Sequence, residues 1–302
     1  MAVEKYWRMK QPPLRKYALV TPARNEEAHV GATIESVLAQ RLRPGRWIII
    51  DDGSTDRTEV IAREYAMKHP LIRVLHREPD GAAGFASKVR AFAMGWEGLR
   101  RLDFDFVGSL DADVTFEADF FERLLDEFLK NPRLGVAGGW ICEKRSGRYR
   151  PRFGNSDRDV AGAVQLFRRR CFEEAGGFPE LPYGGEDAAA QSAARMHGWE
   201  VSSFPHLRVE HHKVPGGGLK ERGRQQFLEG VRDYALGYHP LYLGLKCVRR
   251  TFARPWLVGG ACRMVGYAWA WTSRVPQGPD PRTIAFARRE QMDRIREIWG
   301  RT

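Results

Sequence analysis

Cysteine is scarce in this chain of 302 residues, which contains four cysteines and no C-x-x-C pair. The four, Cys142, Cys171, Cys247 and Cys262, lie far apart, a spacing that argues against a zinc ribbon or a disulfide scaffold. Runs of about 18 or more uncharged apolar residues are also lacking, so we predict no membrane span. The segment before Tyr17 has charges and prolines but no apolar core, so it predicts no secretory signal. These absences favour a reducing, cytoplasmic location.

The net charge is positive but unevenly distributed. Together, 49 Lys+Arg and 38 Asp+Glu residues give a formal charge of +11. Residues 1–212 hold 32 basic and 31 acidic residues, whereas residues 213–302 hold 17 and 7. No zinc-finger, helix-turn-helix or K/R-G-F-G-F pattern accompanies this charge, so we predict no nucleic-acid partner. A basic nucleic-acid-binding protein remains an alternative that strong, salt-dependent DNA binding would favour.

The first two-thirds of the chain alternate strand-like and helix-like segments. This order predicts an α/β fold with a mixed, mostly parallel, Rossmann-like sheet flanked by helices. The predicted strands cover residues 17–21, 47–50, 72–75, 104–110, 134–141, 162–167 and 201–204. The predicted helices cover residues 26–40, a segment capped by Ser54 or Thr55 and ending near 68, 87–99, 118–129 and 185–197. A glycine-rich stretch occupies residues 81–84.

The boundaries that we predict are an N-terminal extension at 1–16, a catalytic domain at 17–212 and a helical extension at 213–302. Within the extension, glycines at 216–218 predict a joint, and helical patterns follow at 222–234, 256–271 and 281–299. The middle segment is aromatic, includes Trp256 and is interrupted by Arg263, so it is too polar to span a membrane comfortably. Aromatic residues among basic ones favour peripheral docking on an anionic membrane surface, at the inner face of the plasma membrane. The alternative is a helical cap whose exposed face is basic.

Two acidic clusters follow predicted strands, at the sheet edge where ligands bind in open α/β folds. Asp51 and Asp52 could accept hydrogen bonds from a nucleobase or from ribose hydroxyls. Asp111 and Asp113, predicted by strand alternation to lie on one side, offer the oxygen ligands that a divalent cation bridging to phosphate needs. In each case the alternative is an acidic turn that starts the next segment.

A third acidic cluster, Glu186-Asp187, follows Gly184-Gly185 at the start of a predicted helix. A carboxylate at a helix N-terminus is electrostatically favoured, which is a purely structural explanation. The functional interpretation is a general base on a rigid helix start.

Three basic side chains complete the candidates. His211 and His212 follow a strand-like segment, and a neutral imidazole there could complete a metal site with Asp113. Lys88 lies at the start of a predicted helix and could neutralise a phosphate. A surface histidine pair and a solvated helix charge are the alternatives.

Five short motifs, in their order, resemble the family 2 glycosyltransferases, enzymes of the GT-A fold, over roughly residues 17–212. The motifs are T-P-A-R-N-E-E from Thr21, I-D-D-G-S-T-D from Ile50, L-D-A-D from Leu110, G-G-F from Gly176, and E-D at Glu186 with G-W at Gly198.

The resemblance implies a donor site and a catalytic base. Asp113 would hold Mg²⁺ or Mn²⁺, with His211 or His212 near the metal. Asp187, with Glu186 beside it, would deprotonate the acceptor hydroxyl in a single inverting displacement. The residues implied in binding the nucleotide sugar are Pro22, Ala23, Glu26, Asp51, Asp52, Asp111 and Ala112, to which we add Lys88 from its charge.

Departures from the pattern refine this expectation. Ala23 and Arg24 stand where Thr and Tyr are frequent, and Pro179 stands where Asp is common. No Q-x-x-R-W motif is present, which argues against a processive polymerase and favours transfer of one sugar. The expected partners are a nucleotide-diphosphate sugar, with a UDP-sugar favoured, and a saccharide or lipid-linked acceptor.

Two further observations bear on the pathway and on alternative activities. The tail is similar to that of bacterial exopolysaccharide enzymes of the family in G-R at Gly223, G-Y-H-P at Gly237, G-Y at Gly266 and R-E-Q at Arg289. A nucleotidyltransferase or a nucleotide-sugar-binding protein is the alternative within nucleotide chemistry.

Overall fold

The computed structural model describes residues 16–78, 85–213, 219–250 and 258–299. The chain divides into two compact units: residues 1–78, 91–174 and 198–212 form the first, and residues 79–90, 175–197 and 213–302 form the second. The strands are β1 Tyr17–Ala23, β2 Arg46–Asp51, β3 Ile72–His76, β4 Phe106–Leu110, β5 Val114–Phe116, β6 Leu134–Arg145, β7 Arg148–Pro151, β8 Val164–Arg168 and β9 Glu200–His211. The helices are α1 Val30–Leu38, α2 Thr58–Lys68, α3 Phe85–Leu99, α4 Phe120–Lys130, α5 Arg169–Glu174, α6 Glu186–Met196, α7 Leu219–Ala235, α8 Pro240–Arg250, α9 Val258–Thr272 and α10 Pro281–Trp299.

The first unit contains one mixed sheet with the strand order β3-β2-β1-β4-β8-β6-β9-β5, and β7 pairs with β6. Strands β3, β2, β1 and β4 run parallel to one another. Strand β8 is antiparallel to both β4 and β6, β9 is parallel to β6, and β5 is antiparallel to β9. The predicted mixed sheet flanked by helices is therefore confirmed.

The hydrophobic core of the first unit explains why these segments form a sheet. Ile48, Ile49 and Ile50 are all buried, as expected of a parallel strand covered on both faces. The buried indole of Trp47 donates a hydrogen bond to Thr21 Oγ1 at 2.9 Å, which satisfies its polar atom inside the core. Helix α4 buries an apolar face that begins at Phe120. Each fully buried side chain of this kind contributes about 1.5–3 kcal/mol.

The second unit is helical and has a buried ionic centre. Arg263 on α9 is 2% exposed, and its Nε and Nη2 donate to the two carboxylate oxygens of Asp233 on α7, at 2.5 and 2.9 Å. Glu229, one turn earlier on α7, pairs with Nη1 of the same guanidinium. The charge that interrupts the apolar segment in the sequence is therefore matched by two carboxylates of the neighbouring helix.

The predicted starts of two helices are wrong because the residues before each helix form hydrogen bonds between loops instead. The predicted helix at 26–40 begins at Val30, and Ser54 and Thr55 do not cap α2, which begins at Thr58. The intervening residues instead bond to one another across two loops, as described below. Among predicted features, residues 81–84, residues 216–218 and Trp256 lie outside the described residues.

Strands β5 and β7 and helices α5 and α8 do not correspond to any predicted segment. In the described part of the chain, no helix has both the length and the apolar character to cross a membrane.

Candidate active site

The loops that follow β1 and β2 are joined by hydrogen bonds at the carboxyl ends of these parallel strands. Asn25, with a left-handed φ of 54°, accepts a hydrogen bond on Oδ1 from the Thr55 backbone N–H at 2.8 Å. The backbone N–H of Asn25 donates to Ser54 Oγ at 3.1 Å, and that of Glu26 donates to Thr58 Oγ1 at 2.7 Å. These bonds replace a first helical turn and hold Glu26 beside the loop after β2.

Pro22 and Ala23 form the last residues of β1, directly before this pair of loops. Ala23 is buried in the core, whereas Pro22 is half-buried. The backbone N–H of Asp52 donates to the Ala23 carbonyl at 2.8 Å, which fixes the ends of β1 and β2 together. The structure thus brings Pro22, Ala23, Glu26 and Asp52 to one edge of the sheet.

Asp51 and Asp52 are both buried at this edge. Oδ2 of Asp51 lies 3.0 Å from His76 Nδ1 and accepts the Ser54 N–H at 3.3 Å. Oδ1 of Asp51 is buried and has no hydrogen-bond partner among the residues that the structure describes. Asp52 Oδ1 lies 3.2 Å from Arg77 Nη1. A buried carboxylate oxygen without a hydrogen-bond partner is costly, so Oδ1 of Asp51 favours an N–H donor from a ligand.

Asp111, Asp113 and His211 form a carboxylate–histidine cluster at the end of β4. One ligand atom from each residue lies within 4.8 Å of the others, and His211 Nε2 is 3.3 Å from Asp113 Oδ2. Two carboxylates and one imidazole in this arrangement match the donor set that Mg²⁺ or Mn²⁺ accepts.

A turn, rather than strand alternation, brings the two carboxylates together. Asp111 and Asp113 lie in the turn between β4 and β5, so the predicted strand geometry is wrong although the predicted proximity is present. The Asp111 N–H donates to the Ala163 carbonyl at 2.9 Å, and Thr33 Oγ1 donates to the Ala112 carbonyl at 2.8 Å. Ala112 itself is buried, and its carbonyl anchors the turn to α1.

His212 lies beside this cluster but is not part of it. Its Nε2 is 2.9 Å from Thr115 Oγ1, and its Nδ1 is 2.7 Å from the hydroxyl of Tyr149. Burial lowers the pKa of His212, and the nearby His29 and His211 lower it further. Both ring nitrogens of His212 thus face hydroxyl groups, and of the two candidate histidines it is His211 that the structure brings to the carboxylates.

Glu186 and Asp187 belong to the second unit, in the first turn of α6. Glu186 is buried, and Asp187 Oδ1 accepts the Ala188 N–H at 2.8 Å. The preceding Gly184 and Gly185 have φ values of +80° and +91°. A Cβ on Gly184 would lie 2.7 Å from the ring of Phe85, and one on Gly185 would lie 2.6 Å from Leu236. Both positions directly before α6 therefore require glycine.

Lys88 also belongs to the second unit, in the first turn of α3, where it is half-buried.

Comparison with known proteins decides the family. The sequence profile of "Glycosyl transferase family 2" matches residues 18–178, just over half of the chain. The chain belongs to this family. The resemblance inferred from the five motifs is thereby confirmed: the chain is a family 2 glycosyltransferase.

The curated relatives of this glycosyltransferase are longer than it is. It is 24% identical over 274 residues to the beta-monoglucosyldiacylglycerol synthase of Synechocystis sp., a match that covers 88% of this chain and 52% of that protein. It is 31% identical over 115 residues to the poly-beta-1,6-N-acetyl-D-glucosamine synthase of Staphylococcus epidermidis, covering 38% of this chain and 26% of that protein. The chain thus spans about half the length of the first and about a quarter of the second.

Solved structures share the fold of this glycosyltransferase. The mannosyltransferase PcManGT from Pyrobaculum calidifontis, in complex with GDP-Man and Mn²⁺, matches with a TM-score of 0.54 at 18% identity, covering 94% of this chain and 86% of that one. S. aureus TarS 1–349 in complex with UDP-GlcNAc matches with a TM-score of 0.52 at 16% identity, covering 85% and 73%. The fold is GT-A with C-terminal helices, as expected from the sequence.

Sequence reasoning missed several residues that build the site. Asn25, Thr58 and Arg77 fix the loops around Asp51 and Asp52, and Tyr149 contacts His212. His76 carried a usable signal, because it is the last residue of β3 and pairs in register with Asp51. The carboxyl ends of adjacent parallel strands share one edge, so a polar residue at the end of β3 belongs with the acidic pair at the end of β2.

Proposed function

We propose that this chain transfers one sugar from a nucleoside-diphosphate sugar to a hydroxyl of a saccharide or lipid-linked acceptor, with inversion at the anomeric carbon. The observation that carries the proposal is the carboxylate–histidine cluster of Asp111, Asp113 and His211 at the ligand-binding edge of a family 2 sheet. His211 joins the two neighbouring aspartates from β9, far along the chain, which favours a binding site over a simple acidic turn.

The cluster fits a divalent cation by its chemistry. The two carboxylates suit Mg²⁺ or Mn²⁺, and the imidazole of His211 favours Mn²⁺ of the two. Such a cation supplies positive charge to the diphosphate that leaves with the nucleoside. The contribution of the chain is to hold Asp113 by its turn to α1 and to hold His211 on β9, so that the donor set exists before the donor binds.

The nucleoside end of the donor is assigned to the loops after β1 and β2. The buried Oδ1 of Asp51 suits a ring N–H, which uracil and guanine carry and cytosine lacks. We favour a UDP-sugar and place GDP-sugars second. Pro22, Ala23 and Glu26 would line the same pocket, and Lys88 would neutralise phosphate charge.

Asp187 is assigned as the general base, with Glu186 beside it. The carboxylate takes the proton from the acceptor hydroxyl as the oxygen attacks the anomeric carbon, and the bond to the nucleoside diphosphate breaks in the same displacement. Its place in the first turn of α6 supports this role. Proton transfer of this kind is worth about 10²–10⁴-fold in rate.

The second unit is the proposed site of peripheral docking on an anionic membrane. Helix α9 exposes Val265, Trp269 and Trp271, and helix α8 exposes Leu241 and Val248. These side chains occur in a segment whose 17 basic and 7 acidic residues give +10. Exposed aromatic and aliphatic side chains in a basic segment suit the boundary between lipid head groups and acyl chains. A lipid-linked acceptor would be presented at such a surface.

The experiment that tests the proposal is a nucleoside-diphosphate release screen. The full chain is incubated with UDP-, GDP- and dTDP-sugars, with Mn²⁺ or Mg²⁺, and with saccharide acceptors. We expect metal-dependent release from at least one donor, reduced about 100-fold or more in Asp113→Asn. The matched control is Asp103→Asn, an exposed aspartate of the first unit that pairs with Lys16. Metal-independent release, or equal activity in both variants, contradicts the proposed metal site.

A further inference from the structure

Asp51 also belongs to a second cluster, whose other members, Glu59 and His76, have no role in the proposed mechanism. His76 Nδ1 is 3.0 Å from Asp51 Oδ2 and 3.1 Å from Glu59 Oε2, so one ring nitrogen faces two carboxylates from two different elements. The other ring nitrogen, Nε2, lies 3.3 Å from Glu78 Oε1. We call Asp51, Glu59 and His76 the imidazole cluster.

The geometry requires a proton on Nδ1, since both of its neighbours are acceptors. The carboxylate of Glu78 at Nε2 favours a second proton and therefore the imidazolium form. Burial opposes protonation, but Glu59 and Asp51 outweigh it and raise the pKa of His76 above its ordinary value. Among the described residues, Arg63 also bears on this cluster, because its Nε and Nη2 donate to Glu59 Oε1 at 2.8 and 2.6 Å.

The consequence for Asp51 is a fixed orientation. Its Oδ2 is engaged by the imidazole and by the Ser54 N–H, while Oδ1 is the buried oxygen without a hydrogen-bond partner in the described residues. A carboxylate that is 1% exposed cannot rotate to exchange its oxygens without disturbing its ion pair with His76. The imidazole cluster therefore decides which oxygen is offered to a ligand.

We propose that His76 is a positioning residue for the nucleoside of the donor: held by Glu59, it keeps Asp51 Oδ1 oriented toward the ring N–H of the base. This inference rests on the proposed function, because it concerns the same nucleotide site. It adds that donor affinity is coupled to the protonation of a side chain that does not touch the donor. Below the raised pKa of His76 the imidazolium forms an ion pair with Asp51. As pH rises through that pKa the imidazole loses its charge, the ion pair is lost and donor KM increases.

The test compares three variants of the full chain over about pH 5.5–8.5. In His76→Phe we expect donor KM about tenfold higher at the acidic end, with kcat within about twofold, because the cation that pairs with Asp51 is lost away from the reacting atoms. His76→Gln keeps an N–H donor but not the charge, so its donor KM should equal that of the wild type at the alkaline end and should no longer vary with pH. His206→Gln is the control, since His206 also faces a carboxylate, Glu127 at 3.7 Å, and lies on β9.

The outcomes separate this inference from the proposed function. Turnover by the wild-type chain together with an unchanged KM and pH profile in His76→Phe overturns the role of His76 alone. A structural role is shown if, in both His76 variants, kcat falls by the same factor by which donor KM rises and the melting temperature is lowered. That result also overturns the proposed role of His76. A wild-type chain that binds and turns over none of the donors overturns both proposals.

Discussion

Replacing Arg263 by methionine tests how the second unit is held together. Arg263 is 2% exposed and Asp233 is 1% exposed, and two hydrogen bonds join them between α9 and α7. Removal of the guanidinium leaves a buried carboxylate without its countercharge. Breaking a buried pair in this way costs about 3–5 kcal/mol, mostly as uncompensated desolvation of the remaining ion.

Amide hydrogen exchange on α7 and α9 measures this loss locally. A decrease of about 3–5 kcal/mol in the free energy of opening corresponds to protection factors lower by roughly 10²–10⁴-fold in these two helices. The control is Arg296→Met, whose partner Asp293 is on the same exposed helical face at 3.0 Å. Exposed pairs contribute about 0–1 kcal/mol, so protection should change little.

A double variant separates lost attraction from stranded charge. Arg263→Met combined with Asp233→Leu removes the fully buried pair and leaves only Glu229, whose side chain is 18% exposed, without Arg263. It should recover most of the protection, because a well-packed apolar pair can replace a buried ionic one. A single variant that behaves like Arg296→Met would refute the reasoning. A double variant that loses as much protection as the single variant, or more, would also refute it.

Two further predictions concern catalysis and docking. Asp187→Asn should lower kcat about 10²–10⁴-fold and leave donor KM nearly unchanged, measured by initial rates; equal loss of donor binding would show that Asp187 is not the base. Trp269→Ser with Trp271→Ser should weaken binding to anionic vesicles roughly tenfold or more in a sedimentation assay, since these side chains are 48% and 67% exposed. Met67→Ser, at an exposed apolar position of the first unit, is the control, and equal weakening in it would contradict the docking surface.

Sequence patterns predicted the sheet well where burial is continuous. The apolar run at Trp47–Ile50 predicts a buried strand, and the alternation of strands and helices up to β4 predicts parallel pairing. Parallel strands require long crossover connections, usually helices, so this order fits few other sheet topologies. The predicted helix boundaries failed where polar side chains bond across loops. Asn25 and Thr58 each satisfy a backbone group of the other loop, and such pairings depend on a fold that periodicity does not reveal.

The candidate site was predictable in its residue types but not in its geometry. Asp111 and Asp113 meet through a turn whose partner strand, β5, is three residues long and pairs with β9 far along the chain. No local pattern distinguishes His211 from His212, since the difference lies in what each ring contacts. His76 was overlooked because the predicted strand ended one residue before it.

The pairing of β5 with β9 has a consequence for how a bound cation acts on the protein itself. Val114 is in register with His211, and the His212 N–H donates to the Asp113 carbonyl at 2.9 Å, so the cluster lies across the joint between two strands. A cation held by Asp113 and His211 would be a reversible cross-link at the edge of the sheet. At about 100 times its dissociation constant it would add about 2.7 kcal/mol to the folded state. Chelation would then loosen a sheet edge as well as remove a cofactor, and the stability of β5 would report on metal occupancy without any turnover.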